Sequence, residues 1–307
     1  QTAKDKNQYR SLLVFDTFQP GYLVQNGNRF LNLCANDYLG LAADPASQEE
    51  GRLLAEILPL GSGASRLMTG NLIIHKELEK LLAEWKGTEA ALVFPSGYQA
   101  NVGVISALAG RGDAIFSDKW NHASIVDGCL LSGAAFYRYQ HADLNNLDSL
   151  LQSKQGRKKL IITDGVFSMD GDLAPLLELS RLAKEHGALL LVDDAHGTGV
   201  LGPGGAGSLA HLGVPWDEQI LIMGTLSKAI GAQGGFLCGS RAAIEYLVNY
   251  CRGFIYSTGI SPWLAGIAHS NISRIRSDAT LGERLQSAVQ TLQEALRGQG
   301  FAVPVSP

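Results

Sequence analysis

Long apolar runs are missing from this 307-residue sequence. None approaches the roughly 18 residues of a membrane-spanning helix, so a helical membrane protein is not expected. An excess of positive charge is missing too. The formal charge is −4 at pH 7, which argues against a nucleic-acid or anionic-membrane partner. Cysteine is scarce, and Cys34, Cys129, Cys238 and Cys251 form no Cys-x-x-Cys pair. The expectation is four buried free thiols with no metal and no disulfide, as suits a reducing cytoplasm. The opening residues, Gln1-Thr2-Ala3-Lys4-Asp5-Lys6, carry no apolar stretch and read as no secretory signal. They also lack an initiator methionine, and the natural start is expected upstream. Internal repeats and low-complexity tracts are absent. What is there is ordinary for a soluble globular protein: 46% apolar and 18% charged residues, with length for a large core and two domains.

From about residue 88 onward, short apolar runs of β type alternate with segments of helical length. Candidate strands are 90–94, 114–117, 134–139, 160–163, 188–193, 219–223 and 235–238. Such alternation predicts an α/β fold with a mostly parallel, buried sheet flanked by helices. The clearest helical period runs from Ile73 to Trp85, where Ile74, Leu78, Leu81, Leu82 and Trp85 form one stripe. Residues 22–33 read as a hairpin whose Asn26-Gly27 turn favours type I′. The last 50 or so residues are mostly helical, with an amphipathic stretch over 281–296. The ending Ala302-Val303-Pro304-Val305-Ser306-Pro307 reads as the start of a strand. Three regions are expected: an N-terminal segment with the hairpin over 1–45, a large domain over 46–252, and the start of a smaller, truncated α/β domain over 253–307.

The run Leu189-Leu190-Leu191-Val192-Asp193-Asp194-Ala195-His196 places acids at the carboxyl end of a buried strand, the edge where open α/β sheets hold ligands. Alone, Asp193 reads as a helix cap or an arginine partner, and His196 as a satisfied structural histidine. After the apolar run Ile220–Met223 comes Thr225-Leu226-Ser227-Lys228, followed by small residues from Ala229 to Gly235. Burial among such residues depresses a lysine toward imine formation, and the glycines would let backbone pass close to a bound ring. The alternative is a surface lysine on a loop. The turn Ser96-Gly97-Tyr98 follows a candidate strand and opens a helix, where backbone N–H groups bind anions. Many α/β turns share this form. Gly61-Ser62-Gly63-Ala64-Ser65-Arg66 resembles half of a dinucleotide fingerprint. It lacks the last glycine and follows a helical segment, so a dinucleotide site is rejected. His122 and Ser168 also follow strands. His122 reads as a ring lying on an aromatic cofactor or as a helix-start histidine, and Ser168 as a donor to a phenolic oxygen or as a turn serine. One pyridoxal 5′-phosphate (PLP) site explains the whole order: lysine for the imine, aspartate for the pyridinium nitrogen, hydroxyls and amides for the phosphate.

From Asn32 to Pro262 the sequence resembles the α-oxoamine synthases, fold-type-I PLP-dependent transferases. The similarity lies in Asn36-Asp37-Tyr38-Leu39-Gly40, Gly61–Arg66, Val166-Phe167-Ser168-Met169-Asp170-Gly171-Asp172, Asp193-Asp194-Ala195-His196-Gly197-Thr198-Gly199, Thr225–Lys228 and Ile255-Tyr256-Ser257-Thr258. The resemblance implies that Lys228 carries the imine and that Asp193 pairs with the ring nitrogen. His196 and Ser168 then hold the phenolic oxygen, and His122 stacks on the ring. The Gly97 and Tyr98 amides and Thr225 would bind the phosphate, with Ser257 or Thr258 reaching from the second subunit of a homodimer. Asn36 faces the substrate, and Arg10 matches an arginine that meets the acyl thioester. The Asp-Asp-Ala-His-Gly-Thr-Gly form points to the member of the family that condenses L-alanine with pimeloyl-CoA, or pimeloyl carrier protein, in biotin synthesis. The freed amine of Lys228 would serve as general base, His122 as a later proton donor. Rival readings are another α-oxoamine synthase using glycine or serine, a non-catalytic subunit, and a plain aminotransferase. The family's arginine for the amino-acid carboxylate is expected beyond residue 307, so impaired catalysis is expected of this 307-residue chain.

Overall fold

The computed structural model describes residues 5–6, 9–19, 21–304 and 306, and the chain divides into two compact units between Ala35 and Asn36. Four of the six opening residues, 1–4, lie outside the described residues. The N-terminal unit holds an antiparallel sheet of β1 (Thr17–Gln19), β2 (Tyr22–Gln25) and β3 (Asn28–Leu31). Asn26 (φ 50°) and Gly27 (φ 75°) are both left-handed, the backbone a type I′ turn needs. The expected hairpin is therefore present. β1 is an addition to it, three exposed residues with no alternation to announce them. Cys34 corrects another expectation: it is exposed, whereas Cys129, Cys238 and Cys251 are buried free thiols.

The second unit is built on a seven-stranded sheet. Its strands are β4 (Ala90–Phe94), β5 (Ala114–Asp118), β6 (Ala135–Tyr139), β7 (Lys159–Asp164), β8 (Leu189–Asp193), β9 (Ile220–Thr225) and β10 (Gly235–Gly239). Each falls on a candidate strand to within two residues at either end. The order is β4-β10-β9-β8-β7-β5-β6. Only β10 runs against its neighbours; the pairs from β9 to β6 are parallel. The helices are α1 (Pro45–Ile57), α2 (Ile73–Lys86), α3 (Gly97–Leu108), α4 (Ala123–Ser132), α5 (Leu144–Ser153), α6 (Leu176–Glu185), α7 (Ser208–His211), α8 (Arg241–Tyr250), α9 (Arg252–Ile255), α10 (Pro262–Ser277) and α11 (Thr280–Gly298). Residues 301–304 form no strand, and the rest of that proposed strand includes 305 and 307, outside the described residues.

The strands are apolar on both faces because helices cover both. Leu190 and Val192 of β8, Ile161 of β7 and Ile222 of β9 join one core cluster with Leu78, Leu82 and Trp85 of α2. Leu191, Ile162, Leu221 and Met223 point the other way, among Val104 and Ile105 of α3 and Ile125 of α4. Each such side chain contributes about 1.5–3 kcal/mol by leaving water. The pleat then fixes what happens at the strand ends. Two residues beyond Ile162, Leu191 and Met223 come Asp164, Asp193 and Thr225, all on the α3–α4 face. α10 lies along α1: Trp263 donates to the Gly51 carbonyl (2.6 Å) and the Ser47 hydroxyl donates to Asn271 (2.8 Å).

Candidate active site

The α3–α4 face opens at the strand ends into a cavity of about 280 Å³. Gly97, Tyr98, His122, Ser168, Asp193, His196, Thr225 and Lys228 all line it. The sequence had these side chains spread over more than 130 positions; the parallel strands bring them to one edge.

One end of the cavity is built for an anion. Ser96 caps α3: its hydroxyl accepts the Gln99 N–H (3.1 Å) and its carbonyl the Ala100 N–H (3.0 Å). That leaves the Gly97 and Tyr98 amides at the helix start for a ligand. A Cβ on Gly97 would touch the Thr225 side chain at 3.4 Å and so fill the cradle. Thr225 shares a 2.8 Å hydrogen bond with the Ser227 hydroxyl. Gly231 and Gly235 act differently from expectation. A Cβ on Gly235 would meet the Gly97 backbone at 2.6 Å, and one on Gly231 the Ala42 nitrogen at 2.6 Å. They let chain pass against chain behind the site.

The other end is acidic. Asp193 is 4% exposed and accepts hydrogen bonds from the Asn101 amide (2.7 Å) and the Ala195 N–H (3.0 Å). Its pKa is raised by burial, with those two donors opposing. Asp164 stands in register with it on β7, also lines the cavity, and accepts the His122 N–H (3.0 Å). Burial, then the Asp193 charge, hold Asp164 well above the usual carboxylate range. His122 sits at the head of α4, where its ring accepts the Ser124 N–H (3.2 Å). It is therefore both a helix-start histidine and a wall of the cavity.

Lys228 lines the same cavity. Its amine donates to His196 Nε2 (2.7 Å). Burial lowers its pKa, with Asp193 and Asp164 opposing. Burial and the Lys228 charge lower His196 to about 4, so the ring is neutral at pH 7. With Nε2 accepting, Nδ1 carries the proton and donates to the Tyr38 oxygen (2.7 Å). Tyr38 in turn donates to Asn36 Oδ1 (3.3 Å). Asn36 thus reaches the site through Tyr38, at the edge of an adjoining apolar cavity of about 170 Å³ that shares Ser168 and His196.

Ser257 and Thr258 do not line the Lys228 cavity. The Ser257 hydroxyl accepts from Gln99 Nε2, and exposed Thr258 bridges to Ser65. That bridge gives the Gly61–Arg66 motif its work: Ser62 donates to the Ile260 carbonyl (2.6 Å) and Gly259 N–H to that of Ala64 (3.0 Å). Arg10 is an exposed residue of the N-terminal unit. Asp164, Asn101 and Tyr38 were missed. Asp164 ends an apolar strand, the same signal that marks Asp193, and Asn101 lies one helical turn beyond Gly97. Next to Ser168, Phe167 packs edge-on against His141 at 4.4 Å between ring centres; His141 bridges Asp118 (3.1 Å) and Asp172 (2.9 Å) and stacks on Trp120 at 3.8 Å.

A family model described as aminotransferase class I and II matches residues 28–307. The 8-amino-7-oxononanoate synthase of Citrifermentans bemidjiense is 49% identical over 304 residues, covering 98% of this chain and 78% of that protein. A serine palmitoyltransferase variant from S. paucimobilis, solved with a bound PLP–myriocin aldimine, has a TM-score of 0.89 at 34% identity, covering 94% of this chain and 73% of that one. The 8-amino-7-oxononanoate synthase of Francisella tularensis has a TM-score of 0.75 at 28% identity, covering 89% and 77%. The chain belongs to the aminotransferase class I and II family.

Proposed function

We propose that this chain is a PLP-dependent acyltransferase of the 8-amino-7-oxononanoate synthase type. It joins L-alanine to the acyl group of pimeloyl-CoA or pimeloyl carrier protein, releasing CO₂ and the free thiol, to give 8-amino-7-oxononanoate for biotin synthesis. The observation that carries the reading is one cavity lined together by a half-buried lysine, a helix-start anion cradle and a buried aspartate. Its donor set fits PLP. The Gly97 and Tyr98 amides with Thr225 suit the phosphate, Asp193 the ring nitrogen, His196 and Ser168 the phenolic oxygen, and His122 a ring face. Bound there, PLP supplies a carbonyl carbon for amines and a protonated ring that accepts electrons from the amino-acid Cα.

The chain's own part is proton management. Burial keeps a share of the Lys228 amine neutral, and only the neutral amine adds to a carbonyl. With the amino acid bound, that amine would take the Cα proton as general base. Asp193, sequestered from water, holds the ring proton in place. His122 stands at the cavity wall as the donor for the final reprotonation. Asn36, Tyr38 and Arg10 are assigned to the substrate side. A homodimer fits, with Ser257 or Thr258 completing the neighbouring subunit's phosphate site. Among the described residues no helix is long and apolar enough to cross a membrane. The buried free thiols Cys129, Cys238 and Cys251 favour the cytoplasm.

The decisive measurement is the visible spectrum of the PLP-loaded protein. Wild type should show a band that shifts on adding L-alanine, and Lys228→Ala should lose it. Alanine with pimeloyl-CoA should then outrun serine or glycine with other acyl-CoAs. A preference for serine would move the assignment toward the serine palmitoyltransferase neighbour, and no band at all would end the PLP reading.

A further inference from the structure

Asp164 has no part in the reaction just assigned, yet it is a buried acid in the wall of the same cavity. It is 5% exposed, against 4% for Asp193, and the two stand directly opposite each other on parallel strands. Two neighbouring carboxylates shut away from water do not both ionise cheaply. The donors decide which keeps its charge. Asp193 receives two N–H groups, from Asn101 and Ala195; among the described residues the Asp164 carboxyl receives one, from His122 N–H. Asp164 also fixes the preceding residue. Its own N–H donates to Asn121 Oδ1 (2.8 Å), and the Asn121 amide donates to the Ser117 hydroxyl (2.8 Å) and the Ile162 carbonyl (2.9 Å). Both residues at the head of α4 are therefore locked to the end of β7.

We propose that Asp164 is a positioning residue that holds the His122 main chain as an uncharged carboxyl group, leaving Asp193 the only anion at the ring end of the site. This rests on the PLP reading above. The charged and titratable groups that face Asp164 are Asp193 on β8, Asp118 on β5, Lys228 after β9 and His122 on α4; the two acids work against its ionisation, and Lys228 favours it. A second carboxylate in this wall would raise Lys228 and hold its amine protonated. An uncharged Asp164 keeps the hydrogen bond to His122 without that effect.

The first test needs no cofactor. A carboxyl group raised in the folded state costs stability as pH climbs from the unfolded value through the folded one. Asp164→Asn removes that cost. The melting temperature of the apo variant, relative to wild type, should be unchanged near about pH 4 and rise as pH increases. A difference that falls with pH would mean an ionised, favourably held Asp164 and would overturn the proposal. The second test separates position from charge. Asp164→Ala should weaken PLP binding and lower kcat by about 10–100-fold, and Asp164→Asn should restore most of both. Should Asp164→Asn instead lose as much as Asp193→Asn, the residue works as an anion and the proposal fails. That comparison stands even if Asp164→Ala does not fold. Absence of PLP binding by wild type would strike the PLP reading, whereas the apo melting result would still decide the state of Asp164.

Discussion

His196 shows how much one buried ring decides. Lys228 donates to one of its nitrogens and Tyr38 meets the other, both at 2.7 Å. A charged imidazole would face the Lys228 ammonium at that distance, so burial and the neighbouring charge hold it neutral down to about pH 4. The consequence for stability has a definite sign. The unfolded histidine takes a proton near 6.5 and the folded one only near 4. Between those values the unfolded chain binds more protons, and folding stability falls as pH falls. His196→Gln removes the group that titrates. In urea unfolding of the apo protein, the variant should gain on wild type as pH drops from 7 toward about 4.5 and show no such trend above pH 7. His75 and His269 are also lowered by burial, so only the difference between the two proteins isolates His196. A flat difference across that window would mean that His196 charges readily, and the Lys228 contact would need another explanation.

At the scale of elements, a strand that runs into two acids sends them to opposite faces. Asp193 turns to the cavity. Asp194 turns to α2, where it meets Lys86 at 2.8 Å with both side chains 1% exposed. The Lys86 amine also donates to the Thr198 hydroxyl (2.7 Å) and the Ala206 carbonyl (2.8 Å). The Ser208 N–H closes the other Asp194 oxygen (3.0 Å). This network anchors the turn that carries Ala195 and His196 into the site. Lys86→Met keeps the length of the side chain and leaves Asp194 buried without its cation, which costs about 3–5 kcal/mol. Thermal melting should show the loss, and adding Asp194→Asn to Lys86→Met should recover most of it. The strands and long helices were legible because apolar alternation and period say where burial falls. The half of the motif that braces the scaffold was not. Nothing local in Asp-Asp tells which acid meets a ligand and which a lysine 108 positions away.

At the scale of the whole molecule, most of the cavity lining could be read in advance, since these residues end or follow strands and parallel strands share one ligand edge. Tyr38 escaped because long-range packing delivers it, and Asn101 because it sits a helical turn past the strand end rather than at it. Ser257 and Thr258 are the remaining case. Neither lines its own chain's cavity, yet Ser257 is tied through Gln99 to the first turn of α3, beside the free helix-start amides. Action on its own subunit and action on a partner are therefore distinct arrangements with distinct consequences. In the shared arrangement, a subunit carrying Lys228→Ala still lends Ser257 and Thr258 to its partner. A subunit carrying Ser257→Ala with Thr258→Val still offers Lys228. A dimer of one of each has one complete site and one doubly defective site. Co-expressed with separate tags and purified through both, such heterodimers should show about half the wild-type turnover at limiting PLP, while both parent homodimers fall far below it. If Ser257 and Thr258 served their own chain, each site of the mixed dimer would carry one defect, and no activity beyond that of the parents would return.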